Sequence, residues 1–270
     1  QPPRRRGLGP VILAALGVVG AVMLGLILYS VLSGPEFEND DYVPPPPGDT
    51  KPFPDAKLSE VDSLVSANAL YSQQLAVPIR CDLSNPQIAP LTASDAEIKD
   101  HLDELMACTT HVWDQPFRDT DRFELVRPAT NVYSGEITSP CGTSDGANAF
   151  YCIANEEVYY GRELPRAIPS QAWPRVIDGT MAHEFGHAMQ ARTLILQASA
   201  YQQDQSDEAT ALELNRRLEL QADCFAGMYV QAVSQSAGYS RQNLDDMQEA
   251  FRLIAGDVQA GRPGDPRAID

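Results

Sequence analysis

The stretch His183-Glu184-Phe185-Gly186-His187 constrains this chain more than any other. Side chains four residues apart lie on the same face of an α-helix, so His183 and His187 can direct two ring nitrogens to one point. Glu184 takes the neighbouring position, from which a carboxylate can reach a water molecule beside a metal ion. The spacing therefore predicts a helix that carries a zinc site and a glutamate general base.

The third ligand of this site has to come from elsewhere in the chain. A catalytic zinc has three protein ligands and an open position. One class of zinc enzymes places a glycine three residues and a histidine six residues after the second ligand, but those positions hold Gln190 and Thr193 here. The two other histidines, His101 and His111, lie far upstream and are predicted to be structural or surface residues. We therefore expect a carboxylate from a downstream helix.

Glu219 and Asp223 provide a pair of carboxylates at helical spacing. Because they are four residues apart, Glu219 can reach the metal while Asp223 accepts the ring N–H of a ligand histidine and fixes its tautomer. The alternative is a solvated acidic face. Cys224, the next residue, is expected to be a buried free thiol rather than a ligand.

Three stretches resemble motifs of the neutral zinc metallopeptidases, a bacterial family of gluzincin type. They are Ala182–Gln190 with the pattern HEFGHxxQ, Leu218–Gly227 with the pattern ELQADCFAG, and the upstream set Cys141-Gly142, Phe150-Tyr151-Cys152 and Val158-Tyr159. The resemblance covers roughly residues 95–260. It implies an α+β, zincin-like domain, mainly helical with a small sheet, which binds Zn²⁺ and hydrolyses a peptide or protein substrate.

The resemblance also has consequences for the strand ahead of the motif helix. It implies that Glu156–Tyr160 flanks the cleft as an edge strand and pairs with an extended substrate backbone, the alternative being an interior strand. Tyr159 or Tyr160 could then supply a phenol to the developing oxyanion. The chain departs from the family at Gly161, where the family has Asp, and its C-terminal His-Gly signature is not found before Asp270.

The N-terminal region predicts a membrane anchor. Residues 10–33 carry no charge and are long enough to cross a bilayer core of about 30 Å. Arginines within residues 1–9 and acids just after residue 33 favour a cytoplasmic N-terminus and an extracytoplasmic domain in a bacterial cell envelope. Gly17, Ala21 and Gly25 form a small-residue stripe that could pack against a membrane-protein partner or a second copy, although glycine is common in membrane spans. Because the chain starts at Gln1, we expect it to be part of a longer one.

The remaining chain is expected to form a proline-rich acidic linker, residues 34–54, and one zinc metallopeptidase domain, residues 55–270. The net charge of −17 argues against a nucleic-acid partner. Five cysteines outside the apolar run predict two disulfides, Cys141–Cys152 and Cys81–Cys108, with Cys224 left over.

Apolar spacing predicts helices and strands along the domain. The predicted helices are Leu58–Gln74, a helix of four to five turns after a capping box at Ser94 and Glu97, Val176–Leu194, Ser206–Ser234, and Arg241–Gln259 with Leu244, Met247, Phe251 and Ile254 inward. The predicted strands are Phe123–Arg127, Val132-Tyr133 and Asn155–Tyr160. Gln202–Gln205 is predicted to be a polar loop, and residues 261–270 a tail.

These observations favour a membrane-anchored zinc peptidase that acts outside the cytoplasmic membrane. An endopeptidase is favoured because no motif for capturing a terminal amine or carboxylate is visible. The alternative is a weakly active or inactive zinc-binding accessory subunit of a membrane or cell-envelope complex, which the intact Glu184 opposes. A cell-wall hydrolase with the same metal chemistry would differ only in its substrate.

Overall fold

A computed structural model describes residues 22–25 and 36–259 of the chain, the last six without side-chain detail. Val22–Gly25 is helical, and most of the predicted membrane span, including Gly17 and Ala21, lies outside the described residues, as do the predicted tail and the side chain of Ile254. Within the described ranges, no helix combines the length and apolar character needed to cross a membrane. A compact unit begins at Glu38.

The compact unit is mainly helical with two small sheets. Three 3₁₀ turns, Leu58–Glu60, Ala69–Ser72 and Pro169–Ala172, accompany seven helices and five strands: α1 Val61–Ser66, α2 Asp95–Arg118, β1 Ala129–Tyr133, β2 Ile137–Ser139, β3 Gly142–Ser144, β4 Ala149–Cys152, β5 Glu157–Gly161, α3 Leu164–Ala167, α4 Val176–Arg192, α5 Ile195–Asp204, α6 Glu208–Val233 and α7 Arg241–Gln259. This architecture fits the expected α+β class.

Helix α2 begins as the sequence predicts. The Ser94 hydroxyl accepts the N–H of Glu97 while the Glu97 carboxylate accepts the N–H of Ser94, which is a complete capping box. The helix is longer than expected, 24 residues, and Pro116 lies in its last turns. The predicted helices of the motif and of Glu219 agree with α4 and α6 within two residues, and the last helix agrees with α7.

Three secondary-structure predictions are wrong. The predicted helix Leu58–Gln74 is divided into the short helix α1 and two 3₁₀ turns, because the Asn68 side chain accepts the N–H of Leu70 and starts a new turn. Residues 123–127 form no strand, although Phe123 and Val126 are buried. The predicted loop at Gln202–Gln205 falls mostly within α5, which the sequence reading missed.

The three-stranded sheet has the order β1-β5-β4, with β1 and β5 parallel and β4 and β5 antiparallel. The prediction that Glu156–Tyr160 forms an edge strand is therefore wrong: β5 is the central strand, and β4 is an edge. One face of the sheet, with Tyr151 and Tyr160, joins the main core, whereas Phe150 and Tyr159 stack on the other face beneath the β2–β3 hairpin.

Both predicted disulfides, Cys81–Cys108 and Cys141–Cys152, are present. The second joins the hairpin to the end of β4. Cys224 is free, as predicted, but exposed rather than buried.

Residues 38–54, here called the strap, lie along the domain surface without helix or strand. Glu38 N–H donates to the carbonyl of Pro78, and Gly48 N–H donates to the carbonyl of Arg127. At the end of α4, Arg192 donates to the carbonyl of Lys51 at 2.8 Å. The strap is thus held by the domain at several points, while the boundaries predicted at residues 34 and 54 stay predictions.

Candidate metal centre

Helices α4 and α6 approach each other closely at the residues between the two motif histidines. A Cβ atom at Gly186 would lie 3.0 Å from the Cα and the carbonyl oxygen of Ala222, which is closer than side chains normally pack. Glycine at position 186 therefore permits a close approach of the two helix backbones that a larger residue would prevent. This contact brings α6, and with it Glu219, beside His183 and His187.

Three side-chain atoms form a small triangle at this crossing, here called the ligand triangle. The Nε2 atoms of His183 and His187 are 3.1 Å apart, and Oε2 of Glu219 lies 3.3 Å from the first and 3.4 Å from the second. Four ligands placed tetrahedrally around zinc at 2.0–2.1 Å are about 3.3 Å from one another. The triangle therefore has the size of one face of a zinc tetrahedron.

Hydrogen bonds on the far sides of the two imidazoles determine their tautomers. Nδ1 of His183 lies 2.8 Å from Oδ1 of Asp223, and Nδ1 of His187 lies 2.9 Å from Oε1 of Gln190. A carboxylate and an amide oxygen can only accept, so each Nδ1 carries a proton, and in the neutral form each ring keeps a lone pair on Nε2. Two ring nitrogens and a carboxylate oxygen thus converge on one point, which either protons on the rings or a metal ion can occupy.

The three side chains are also partly open to solvent. Their exposed fractions are 18 % for His183, 5 % for His187 and 23 % for Glu219. A structural zinc site is closed by a fourth protein ligand, whereas a catalytic one keeps a position for water or substrate. Among the described residues, the group able to hold a metal ion consists of these three side chains alone, which fits the open type.

The charges of the site are strongly coupled. Burial lowers the pKa of His183, but its hydrogen bonds to Asp223 and Glu219 outweigh that effect and hold the pKa well above the usual range. The pKa of His187 is raised in the same way, mainly by the charge of Glu219 against the effect of burial. Burial would raise the pKa of Glu219, yet the neighbouring histidines hold it far below its ordinary value. In the metal-free site, protons on the rings are thus stabilised by the carboxylates.

Glu184 is buried beside the ligand triangle and next to the sheet. Burial raises the pKa of its carboxyl group, and the two histidines and the backbone N–H of Tyr151 oppose that rise. Tyr151 lies on β4, so this edge strand runs beside the carboxylate. A carboxylate with a raised pKa next to a metal site is suited to accept and return a proton.

Other residues singled out in the sequence lie away from this centre. His101 is buried and hydrogen-bonds to Asp178, while His111 bonds to the carbonyl of Asn39 and stacks on Tyr42, so both are structural, as predicted. Tyr159 points to the sheet face opposite α4 and bonds to Glu157, which makes its predicted oxyanion role wrong.

Tyr160, the second candidate for oxyanion stabilisation, faces the core and is completely buried. Its hydroxyl group has no hydrogen-bond partner among the described residues. Because the residue is completely buried, that hydroxyl is not exposed to a substrate in this structure. Two contributors escaped the sequence reading, the backbone N–H of Tyr151 and the side chain of Gln190. The second had a signal, since it is the final residue of the HEFGHxxQ pattern.

Comparisons with known proteins show which family this chain resembles. The family model described as "Putative neutral zinc metallopeptidase" matches residues 67–264. The uncharacterized protein YpfJ of Escherichia coli K12 is 27 % identical over 190 residues, which cover 67 % of this chain and 63 % of that protein. The uncharacterized protein Rv2575 of Mycobacterium tuberculosis H37Rv is 30 % identical over 108 residues, 38 % of this chain and 35 % of that protein.

The chain thus spans less than two thirds of the length of these relatives. No solved structure matches it. The cofactor that the family implies is Zn²⁺, and the donor atoms of the ligand triangle fit that ion. With a family model that covers most of its length, the chain belongs to the neutral zinc metallopeptidase family.

Proposed function

We propose that this protein is a membrane-anchored zinc peptidase that hydrolyses peptide bonds outside the cytoplasmic membrane. His183, His187 and Glu219 are the zinc ligands, Asp223 orients His183, and Glu184 is the general base. The observation that carries the proposal is the ligand triangle, in which three acceptors converge at zinc-like distances beside a buried carboxylate.

The residues of the chain divide the chemistry among them. When bound, zinc would supply a Lewis acid that polarises a carbonyl group and lowers the pKa of water from about 15.7 towards neutrality. Glu184, held by the N–H of Tyr151, accepts a proton from the attacking water and later returns it to the leaving amine. Asp223 keeps the proton of His183 on Nδ1, so that Nε2 stays free as a donor of its lone pair.

Strand β4 is the place where an extended substrate backbone would bind. It pairs with β5 on one side, and among the described strands none pairs with its other side. The N–H of Tyr151 points to Glu184, which puts the unpaired edge of β4 at the metal centre. An extended peptide can add to such an edge through main-chain hydrogen bonds. The proposal thus moves the substrate-binding role from β5 to β4.

The anchored location rests on the sequence. The uncharged run at residues 10–33, with arginines before it and acids after it, has the pattern of a signal anchor with a cytoplasmic N-terminus. The two disulfides support an oxidising, extracytoplasmic setting for the domain. A membrane-protein partner or a second copy would pack against the Gly17, Ala21 and Gly25 stripe.

The test measures zinc content and hydrolysis of an unbiased peptide mixture by the full chain and by Glu184→Gln. We expect one zinc per chain in both and cleavage only in the wild type, since the amide cannot accept the proton. Glu157→Gln is the matched control, because Glu157 bonds to Asn131 and Tyr159 away from the site. Cleavage retained by Glu184→Gln would refute the general base, and bound zinc without cleavage by the wild type would favour an accessory subunit.

A further inference from the structure

Gln190 connects the two helices that bear the ligand triangle. It lies on α4, one turn after His187, and its side chain is completely buried at the contact with α6. A buried amide has two donor hydrogens and an acceptor oxygen to satisfy, and each one left without a partner costs free energy. The hydrogen bonds of Gln190 therefore show what this residue holds in place.

All three functions of the amide group are used. Its Oε1 accepts the Nδ1 proton of His187 at 2.9 Å, and its Nε2 donates to the carbonyl of Leu218 at 2.7 Å and to Oε1 of Gln221 at 3.1 Å. The Leu218 carbonyl can only accept, so it fixes the orientation of the amide with the oxygen towards His187. No other orientation satisfies both neighbours.

Gln190 therefore acts on two ligands at once. It fixes the tautomer of His187, and through Leu218 it holds the backbone one residue before Glu219. The two histidines are supported differently, since His183 donates to the carboxylate of Asp223 and His187 to a neutral amide. The site thus has one imidazole whose Nδ1 donates to a charged group and one whose Nδ1 donates to a neutral group.

The hydrogen bonds continue from Gln190 to the protein surface. Gln221 donates from Nε2 to the hydroxyl oxygen of Tyr71 at 2.8 Å, and that hydroxyl donates to the carbonyl of Val65 at 2.9 Å. Tyr71 is 41 % exposed. A chain of four side chains, His187, Gln190, Gln221 and Tyr71, thus runs from the ligand triangle to solvent.

We propose that Gln190 is a positioning residue of the zinc site, which fixes the His187 tautomer and the placement of Glu219, and that Gln221 and Tyr71 extend this support to the surface. The inference rests on the zinc ligands proposed above and not on peptidase activity. Partners of ligand histidines typically contribute 10–100-fold to metal affinity. Gln190 is such a partner, because it orients His187 and hydrogen-bonds to the helix that carries Glu219.

The test measures zinc affinity of the full chain by competition with a chromogenic chelator. Gln190→Met keeps the approximate size and removes every hydrogen bond of the amide. We expect its zinc dissociation constant to rise about 10–100-fold. Gln197→Met is the matched control, because Gln197 also donates to a backbone carbonyl in a half-buried position but has no contact with the site. An affinity of Gln190→Met equal to that of Gln197→Met would overturn the proposal.

A second readout distinguishes positioning from a general loss of packing. In nitrogen-15 NMR spectra of the zinc-loaded wild type, the Nδ1–H of His187 should be protected from exchange with water. Gln190→Met removes the acceptor for that proton and should lose the protected signal, whereas Gln197→Met should retain it. Loss in both variants, or in neither, contradicts the assigned role.

Should Gln190→Met not fold, Gln221→Met replaces it. We expect Gln221→Met and Tyr71→Phe to weaken zinc binding less than removal of Gln190 would, but more than Gln197→Met does. Equal zinc affinities for Gln221→Met, Tyr71→Phe and Gln197→Met would refute the proposal that Gln221 and Tyr71 extend the support to the surface. Zinc binding that depends on Gln190 in a protein without hydrolytic activity would leave this inference intact while refuting the proposed function.

Discussion

Helix α4 carries two polar clusters that differ in how their negative charges are balanced. Near its start, Asp178 contacts His101 at 2.7 Å, Arg175 at 3.1 Å and the hydroxyl of Tyr239 at 3.0 Å, a set here called the Asp178 cluster. Little more than one turn later begins the ligand triangle, which contains no arginine or lysine. The first cluster contains a permanent cation, whereas the second takes up a proton or a metal ion.

The difference separates a cluster that stabilises the fold from one that binds. Burial raises the pKa of Tyr239 well above its usual range, so its hydroxyl stays protonated and donates to Asp178. Arg175 also donates to the carbonyl of Ala237 and lies over the Tyr239 ring, so the charge of Asp178 is balanced within the cluster. The ligand triangle has no permanent cation, so it is stabilised either by protons on the two rings or by a bound metal ion.

The largest effect is expected from opening the Asp178 cluster. Asp178→Asn removes the carboxylate and leaves the guanidinium of Arg175 buried without a counter-charge. We expect the free energy of unfolding of the metal-free chain, measured in urea, to fall by about 3–5 kcal/mol. Asp223→Ala, which removes a half-buried carboxylate at the ligand triangle, should cost less. Equal losses would show that the two clusters are not different in kind.

Added zinc should stabilise the fold through the ligand triangle and not through the Asp178 cluster. At a free zinc concentration one hundred times the dissociation constant, binding should stabilise the wild type by about 2.7 kcal/mol. The same increment is expected for Asp178→Asn, because its ligands are intact, and none for His187→Ala. The measurement is the shift of the urea midpoint on adding zinc. A loss of the increment in Asp178→Asn would mean that the first cluster supports the second.

Gly186→Ala tests whether the approach of α4 and α6 sets the triangle. The added methyl group would meet the backbone of Ala222, so we expect a loss of about 1–3 kcal/mol in the free energy of unfolding, together with weaker zinc binding. Gly227→Ala on α6 is the control, since open space surrounds that position. Should both variants bind zinc equally well, the close contact does not determine the ligand geometry.

The smallest expected effect is a pH dependence of the metal-free chain. The carboxylates raise the pKa of His183 and His187 above the value of about 6.5 that histidine has in an unfolded chain. Their contribution is therefore fully present below pH 6.5 and is lost as pH rises through the folded-state pKa. We expect the free energy of unfolding to fall on that rise in the wild type, and less so in His187→Ala. A flat profile in the wild type would contradict the coupling of the rings to Glu219 and Asp223.

Local spacing made part of the site predictable. The arrangement of His183, Glu184 and His187 follows from a single helix. The second motif places Glu219 and Asp223 one turn apart on another helix. The structure brings these side chains together, while their roles as ligands and base stay predictions. Gln190 was overlooked because a glutamine between helices reveals its partners only when both helices are in place.

Non-local features of the fold escaped the sequence reading for a related reason. The residues of β5 look the same whether the strand is central or at an edge, because the neighbours on either side, β1 and β4, are chosen by the fold. Residues 123–127 are rich in the apolar residue types of a strand, yet Arg127 donates to the carbonyl of Asp103 and holds the chain on α2 instead. Helix α5 is rich in glutamine and lacks a strong apolar face, so its composition resembled that of a loop.

The strap has a practical consequence for anyone who shortens this protein for expression. Composition alone suggests cutting at the end of the proline-rich stretch, near Pro54. Such a cut would remove Phe53 from the guanidinium of Arg192, along with the carbonyls of Lys51 and Pro52 that accept its hydrogens. The helix of the motif histidines would then end in a buried cation that had lost three of its five partners, so a recombinant fragment should begin before Glu38.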